Sequence, residues 1–492
     1  MSTELIIRGI FVAIISLMVA WKVFTTYDQE IGTESEDTEG TGYSPFISGS
    51  LLPAILLIMV CFAIFKYGAE KAAEMTLSLC FGIFLHISLY YLLLVPLLPL
   101  LRKHITARAC ALLWMIPNFL YFTLQAGMQV SEPLWVIRAP GKVVWILFYI
   151  WLAGFTLVMG YHIVSHLAFR SQLLKHAEPV TDSAVLELWQ QELARVGIRS
   201  KRMKLVASAE TATPLSIGLF RFTTKVVLPT RSYNPEELTL ILRHELVHIS
   251  REDAWSKFFL LFCTAMCWFN PFMWISMRKC ADDLELSCDE TVLLKADEAT
   301  RRKYASLILN TAGNERGFTT CLSASATALR YRLGSIMKPQ KQASGALVML
   351  AVVFVLFMSC GYVALSYDST TGAEVFIQSE VFEASALKRI VLDNETSTVR
   401  LTCTNQDALH EYLKTLQLET ITGNFSGESK GQQLTLTYEV PGKGLYHIKL
   451  SDSFLKIEEH ALKHYETSYY YLPEGLDWEY IDTLLCKKNS PD

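Results

Sequence analysis

The 492-residue chain is 51% hydrophobic and 19% charged, with a mean hydropathy of +0.28. A soluble domain carries about 25% charged residues, so this chain is not soluble throughout. A net charge of −4 leaves no basic surplus for direct nucleic-acid binding. Eleven cysteines without a CxxC pair or regular spacing suggest neither a disulfide framework nor a four-cysteine zinc module.

A bilayer-crossing helix takes about 20 apolar residues. Runs at Leu5 to Phe24, Leu51 to Phe65, Leu77 to Leu101, Ala109 to Met128, Val143 to Phe169 and Ala346 to Leu365 predict six spans, the second of them short. Lys22 and the lack of a small-x-small cleavage site make the first an anchor rather than a removable signal. The expected layout is an N-terminal transmembrane hairpin (1–74), three transmembrane helices (75–169), a water-facing domain (170–344), a last transmembrane helix (345–366) and a second water-facing domain (367–492). One span between the two domains puts them on opposite sides of the membrane.

Arg102, Lys103 and Arg108 lie between the third and fourth runs, and Arg170, Lys175, Lys338 and Lys341 flank the middle domain. Positive residues are retained in the cytosol, so the middle domain reads as cytosolic and the C-terminal domain as extracellular. The acidic loop with Asp28, Glu30, Glu34, Glu36, Asp37 and Glu39 is placed inside by parity, and acidic residues are weak topology signals.

In the middle domain, Thr181 to Val196 reads as an amphipathic helix, and Met203 to Ser208, Leu215 to Phe220 and Lys225 to Pro229 read as short strands. Leu215 to Gly218 is a candidate edge strand for pairing with an extended peptide. Asn234-Pro235-Glu236-Glu237 then opens a helix with a cap, a first-turn proline and a capping-box glutamate. It carries His244-Glu245-Leu246-Val247-His248, an HExxH motif in which imidazoles four residues apart share a face and converge on one ion. Zinc that catalyses needs a third protein ligand and an open position. Asp282-Asp283-Leu284-Glu285-Leu286-Ser287-Cys288-Asp289-Glu290 supplies carboxylates on a second helix. Glu285 is assigned as the third ligand, with Glu290, Asp282 and Asp283 as alternatives. Asp289, on the same face as Glu285, is assigned to orient a ligand histidine, and Glu245 is the general base.

Ala254 to Met277 is long enough to cross a membrane, but a crossing there would part Glu285 from His244 and His248. Asn270-Pro271 interrupts the run, which predicts a hairpin of two short helices with both ends on one side. His162 and His166 also lie four apart and read as solvated or hydrogen-bonded residues at the end of the fifth span rather than as a metal site.

Thr213-Pro214-Leu215-Ser216-Ile217-Gly218, Val227-Leu228-Pro229, the HExxH segment with Arg251-Glu252-Asp253 after it, Trp268-Phe269-Asn270-Pro271-Phe272-Met273-Trp274 and Glu285-Leu286-Ser287-Cys288-Asp289 together resemble the successive blocks of the BlaR/MecR-type membrane zinc metallopeptidases, antibiotic-sensing signal transducers of Gram-positive bacteria. The resemblance covers roughly residues 75–366. It implies a multi-pass α-helical membrane protein of the bacterial cytoplasmic membrane, with a cytosolic α+β gluzincin-like zinc metallopeptidase domain and a small extracellular α+β domain. It implies His244, His248 and Glu285 as zinc ligands and Glu245 as catalytic acid/base. It further implies a receptor whose outer domain, on meeting an unidentified extracellular ligand, controls cleavage of the protein itself and loss of a transcriptional repressor; a homodimer would fit the likeness.

Two departures stand out. Ser385-Ala386-Leu387-Lys388 fits the SxxK of a penicillin-binding sensor, yet no KTG follows and the C-terminal segment is too short for that fold, so the match reads as chance. The hairpin Leu5 to Phe65 precedes the usual spans. In the outer domain, Val375 to Phe382, Arg389 to Leu392, Thr398 to Cys403, Gln433 to Val440 and Tyr446 to Leu450 read as strands, as does Tyr469-Tyr470-Tyr471 with one buried face; Asp407 to Leu416 and Trp478 to Leu485 read as helices. Cys403 and Cys486 are a candidate disulfide. Two other functional classes compete: a non-proteolytic membrane receptor with structural zinc, and a constitutive quality-control metalloprotease. An intact Glu245 argues against the first and a separate outer domain against the second.

Overall fold

The computed structural model describes residues 3–32, 48–124, 128–198, 203–220, 222–311, 326–338, 342–378, 386–394, 397–423, 425–427, 431–440, 444–461 and 465–487. Glu34, Glu36, Asp37 and Glu39 of the acidic loop and Ser385 lie outside the described residues. The chain begins with α1 (Thr3–Gly32), α2 (Leu51–Tyr67), α3 (Ala69–Leu101), α4 (Ala107–Leu113), a 3-10 helix (Ile116–Leu124), β1 (Trp135–Arg138) and α5 (Gly141–Leu174). Among the described residues, three segments are long and apolar enough to cross a membrane: Leu5–Thr26 of α1, α3 and α5; α2 is a shorter apolar helix.

The middle part contains β2 (Glu178–Pro179), α6 (Ser183–Arg195), β3 (Lys204–Ser208), β4 (Leu215–Ile217), β5 (Lys225–Pro229), α7 (Pro235–Ser250), α8 (Asp253–Met266), α9 (Pro271–Val292), α10 (Glu298–Thr311) and α11 (Ala326–Met337). Its sheet runs β2-β3-β5-β4, with β4 at the edge as expected. The apolar helix α12 (Ala346–Ser359) leads to the last part: β6 (Val363–Thr371), α13 (Gly372–Gln378), β7 (Ala386–Asn394), β8 (Ser397–Cys403), α14 (Gln406–Thr415), β9 (Gln417–Thr422), β10 (Gln433–Val440), β11 (Gly444–Leu450), β12 (Phe454–Ala461), β13 (Tyr465–Tyr471), α15 (Trp478–Leu484) and β14 (Leu485–Lys487). Its sheet has the order β1-β6-β9-β13-β12-β11-β10-β7-β8-β14 and takes β1 from between the helices.

Several expectations require correction. The run Ala109 to Met128 is not one α-helix: Thr106 caps α4 through the Ala109 amide, and α4 stops at Leu113, four residues before Pro117, whose ring clashes with the carbonyl at that distance and which has no N–H to continue the ladder. The chain proceeds as a 3-10 helix. The last apolar run also ends early. Gly361 adopts φ 88°, and Val363 onward is strand, pairing parallel with β1 and antiparallel with β9. Val375 to Gln378 is helical rather than extended because Thr371 and Glu374 form a reciprocal capping box, with Glu374 N to Thr371 Oγ1 at 3.3 Å and Thr371 N to Glu374 Oε2 at 3.2 Å. Cys403 is a free thiol, and the strand register sets it opposite Leu485.

The helices connect the two sheets end to end. At one end Ile105 bridges to Ala343, and at the other Val130 bridges to Phe425, so the α4 and 3-10 segment joins one globular part to the other despite its irregularity. Leu77 and Phe81 of α3 pack with Leu365 and Tyr367, whereas Arg102, just past the other end of α3, contacts α9. α5 leaves β1 and ends with Leu173 packed on β3, β4 and β5. The hairpin predicted from Asn270-Pro271 is present as α8 and α9, with Asn270 capping α9. Its turn packs among the long helices: Phe269 meets Phe84 edge to face at 6.4 Å, and Trp151 Nε1 donates to Met266 O at 2.7 Å.

Candidate metal centre

α7 starts where Asn234 accepts a hydrogen bond from the Glu236 amide and Pro235 occupies the first turn. Leu238, Leu242, Leu246 and Ile249 bury one face against α6 and the sheet. Leu240 and Val247 pack against Cys288 and Val292 of α9 and Tyr304 of α10. This two-sided packing fixes the rotation of the helix, and with it the direction of His244, Glu245 and His248.

His244 Nε2 and His248 Nε2 are 3.1 Å apart. Glu285 brings Oε2 to 3.5 Å from the first and Oε1 to 3.6 Å from the second. The opposite nitrogens are engaged. His248 Nδ1 lies 2.7 Å from Asp253 Oδ2, a carboxylate that accepts its proton. The Tyr304 hydroxyl donates to Asp289 Oδ1 at 2.8 Å and stands 2.7 Å from His244 Nδ1, from which it accepts. With Nδ1 engaged in this way, the neutral form of each ring turns an Nε2 lone pair inward. Two such lone pairs and a carboxylate are all acceptors, a set suited to a cation between them. Nitrogen and oxygen ligands about 2.0–2.2 Å from a tetrahedral ion reproduce this spacing, so the residues present fit zinc.

Glu245 is only 4% exposed, and its Oε2 has no hydrogen-bond partner. A buried carboxylate oxygen left unpaired is costly and marks a group held ready for something that enters the site. Burial alone favours neutral imidazoles, but Cys288 and Glu285 outweigh it, raising His244 to about 10 and His248 well above the usual histidine range. Against its own burial, Glu285 is held well below the ordinary carboxylate range by His248, His244 and Lys257. The carboxylate and the sulfur thus favour positive charge at the two imidazoles.

Cys288 is a second sulfur-bearing candidate: its Sγ and one nitrogen of each histidine lie within 4.8 Å of one another. Its sulfur, however, sits 3.3 Å from His244 Nδ1 and donates toward the His244 carbonyl at 3.5 Å, on the ring edge away from Nε2. Glu285 instead faces both Nε2 atoms. Asp283 and Glu290, two of the three sequence alternatives, face α3 and α4: Asp283 meets Arg102 and Trp114, and Glu290 accepts from the Arg108 amide at 3.4 Å.

Asp289 does not hydrogen-bond a histidine; its Oδ1 is 3.8 Å from His244 Nδ1, and the Tyr304 hydroxyl bridges the gap. Arg332 of α11 grips Asp289 with Nε and Nη2 at 2.8 and 2.9 Å, and its Nη1 is 3.5 Å from Glu285. Sequence reasoning missed Asp253, Tyr304 and Arg332 as parts of the site. Only Asp253 left a local signal, as the last residue of the Arg251-Glu252-Asp253 block. Glu252 turns there with φ 56°, bringing Asp253 back to His248. A cleft between β4 and this site is lined by Ser216, Gly218, Thr224, His248 and Lys257. His162 stands against Trp274 of α9 and forms no part of the centre.

Residues 125–336 match the BlaR1 peptidase M56 family model. The chain is 25% identical over 187 residues to the regulatory protein BlaR1 of Bacillus licheniformis, covering 38% of this chain and 30% of that protein. It is 26% identical over 172 residues to the methicillin resistance mecR1 proteins of Staphylococcus aureus and Staphylococcus epidermidis, covering 34% of this chain and 28% of each. The aligned segment spans less than a third of those relatives. Within it, the chain resembles the BlaR/MecR-type membrane peptidases.

Proposed function

We propose that this BlaR/MecR-type membrane peptidase is a zinc endopeptidase of the bacterial cytoplasmic membrane that works as a signal-transducing receptor, its C-terminal domain outside the cell controlling proteolysis inside. The observation that carries the peptidase reading is the convergence of His244 Nε2, His248 Nε2 and Glu285 within 3.1–3.6 Å beside the unpaired buried Glu245 Oε2.

His244, His248 and Glu285 would hold the ion, with Asp253 and Tyr304 fixing the two ring tautomers. Zinc at such a centre supplies Lewis acidity, polarising a peptide carbonyl and making water acidic near neutral pH. Glu245 takes the proton of the attacking water and delivers it to the departing amine. The edge strand β4 offers unpaired backbone groups to an extended substrate beside the cleft. Arg332 and Lys257, both positive and near Glu285, are the side chains placed to counter negative charge on the reacting carbonyl.

Sidedness rests on charge. Arg102, Lys103, Arg108, Arg170 and Lys175 cluster where the helices meet the peptidase domain, which supports that domain as cytosolic and residues 367–492 as extracellular. By likeness to BlaR1 and mecR1, the substrates are this chain itself and a cytosolic transcriptional repressor. Glu245→Gln is expected to retain zinc and to abolish both self-cleavage and loss of a co-expressed repressor. Unaltered fragments on a blot would reject proteolysis as the activity.

A further inference from the structure

The turn between β4 and β5 exposes two large aromatic side chains, Phe220 (47% exposed) and Phe222 (63% exposed), that neither the core nor the metal centre uses. Their rings stack at 5.4 Å, and Trp255 meets Phe220 edge to face at 5.3 Å. The turn is tightly closed: Phe220 O accepts from Thr223 N at 2.8 Å, from Thr223 Oγ1 at 2.9 Å and from Thr224 Oγ1 at 2.9 Å. Gly218 enters it with φ 136°, where a Cβ would strike the Thr224 backbone. The described residues of this turn thus display aromatic rings outward, which costs solubility unless something apolar covers them.

Three other elements fix where this tip stands. Arg170, near the end of α5, donates from Nη2 to Thr223 O at 2.9 Å, and the preceding turns of α5 expose Leu167, Val164 and Ile163. Trp255 opens α8, the helix whose far end reaches Phe155 and Trp151 of α5. Gly49, just before the apolar α2, passes so close to the Trp255 carbonyl that no Cβ would fit. The ends of α5, α2 and α8 therefore meet at one level, and Phe220 and Phe222 project there. Aromatic rings beside an arginine at the end of an apolar helix are the composition of a membrane–water interface.

We propose that Phe220, Phe222 and Trp255 form a lipid-binding anchor that seats the β4–β5 turn in the headgroup and upper acyl region of the leaflet facing the peptidase domain. The patch is continuous with the apolar face of α5, so the occupant is lipid rather than a separate protein. As β4 is the edge strand beside the cleft, the anchor fixes the peptide-pairing edge against the membrane surface and favours substrate segments lying close to the bilayer. This inference rests on the reading of α5 as a span and is independent of catalysis.

The test is photo-crosslinking of the full chain in vesicles of phosphatidylethanolamine and phosphatidylglycerol, with p-benzoylphenylalanine replacing Phe222, or Val164 on α5 as reference, and mass spectrometry as readout. Lipid adducts at both positions are expected. An adduct at 164 with none at 222, or a protein adduct at 222 in place of lipid, overturns the anchor. Lipid adducts at neither position overturn the spanning reading of α5 and the anchor with it. None of these outcomes depends on proteolysis.

Discussion

Arg102 Nε donates to Asp283 Oδ1 at 2.7 Å, binding the foot of α3 to the helix that carries Glu285. Trp114 Nε1 donates to Asp283 Oδ2 at 2.7 Å, so both oxygens of a fully buried carboxylate are held by the apolar helical part. Two residues apart on α9, Asp283 faces the bundle while Glu285 faces the histidines. Asp283→Ala strands a charged Arg102, and removing one partner of a buried pair costs about 3–5 kcal/mol. Thermal unfolding in nanodiscs should register the loss, and Asp283→Asn should recover part of it. Unchanged melting of the alanine variant would show that α9 needs no such tether.

The zinc set makes a separable prediction. Asp253→Asn should weaken zinc binding by roughly 10–100-fold, the usual cost of losing a carboxylate that orients a ligand histidine, with Tyr304→Phe acting the same way through His244. Glu285→Ala should empty the site under dialysis, whereas Cys288→Ser should keep it filled. Metal analysis by inductively coupled plasma mass spectrometry distinguishes the cases; full zinc in Glu285→Ala together with loss in Cys288→Ser would reassign the third ligand to sulfur.

Low pH should loosen the junction between β1 and the rest of the ten-stranded sheet. Glu419 is kept below the usual carboxylate range chiefly by its hydrogen bonds from Arg138, against the opposing effect of burial and with help from Ser366. Because its folded-state pKa is depressed, the stabilisation is complete above the unfolded value of about 4.3 and disappears as pH falls through the folded value. Wild type should melt above Glu419→Gln at pH 7, and the two curves should merge in acid. A gap that persists well below pH 4 contradicts this account.

The N-terminal helix earns a structural role from one side chain. Arg8 is buried in α1 and donates through Nη2 to Phe357 O and Cys360 O at 2.6 Å and to Met358 O at 3.2 Å, capping the end of α12 with a positive charge where the helix dipole favours it. Hydrogen bonds to charged groups contribute about 1.5–3 kcal/mol, so Arg8→Met should lower stability by roughly that much and hasten limited proteolysis between α12 and β6. Wild-type protease resistance in the variant would remove α1 from that role.

The motif was legible because helix geometry is local. Four residues separate His244 from His248, and Asn234-Pro235 sets the start of their helix, so their shared face follows from short-range spacing alone. The same holds for Asn270-Pro271, which divides α8 from α9. Other features left weaker traces. Pro117 is a single breaker in a run whose hydropathy alone reads as one span, and the Thr371–Glu374 capping box lies among β-branched and aromatic neighbours.

Sequence by itself determined the long apolar helices α1, α3 and α5, the HExxH face and the acidic helix opposite it, since each depends on residues a turn or two apart. Tertiary structure alone decided that Tyr304 and Arg332, from α10 and α11, close around Asp289, that Asp283 turns to the bundle while Glu285 turns to the histidines, and that β1 leaves the helices to join the ten-stranded sheet. Those choices compare the burial and pairing of groups far apart in the chain, and no periodicity along one segment records which distant partner will neutralise a buried charge.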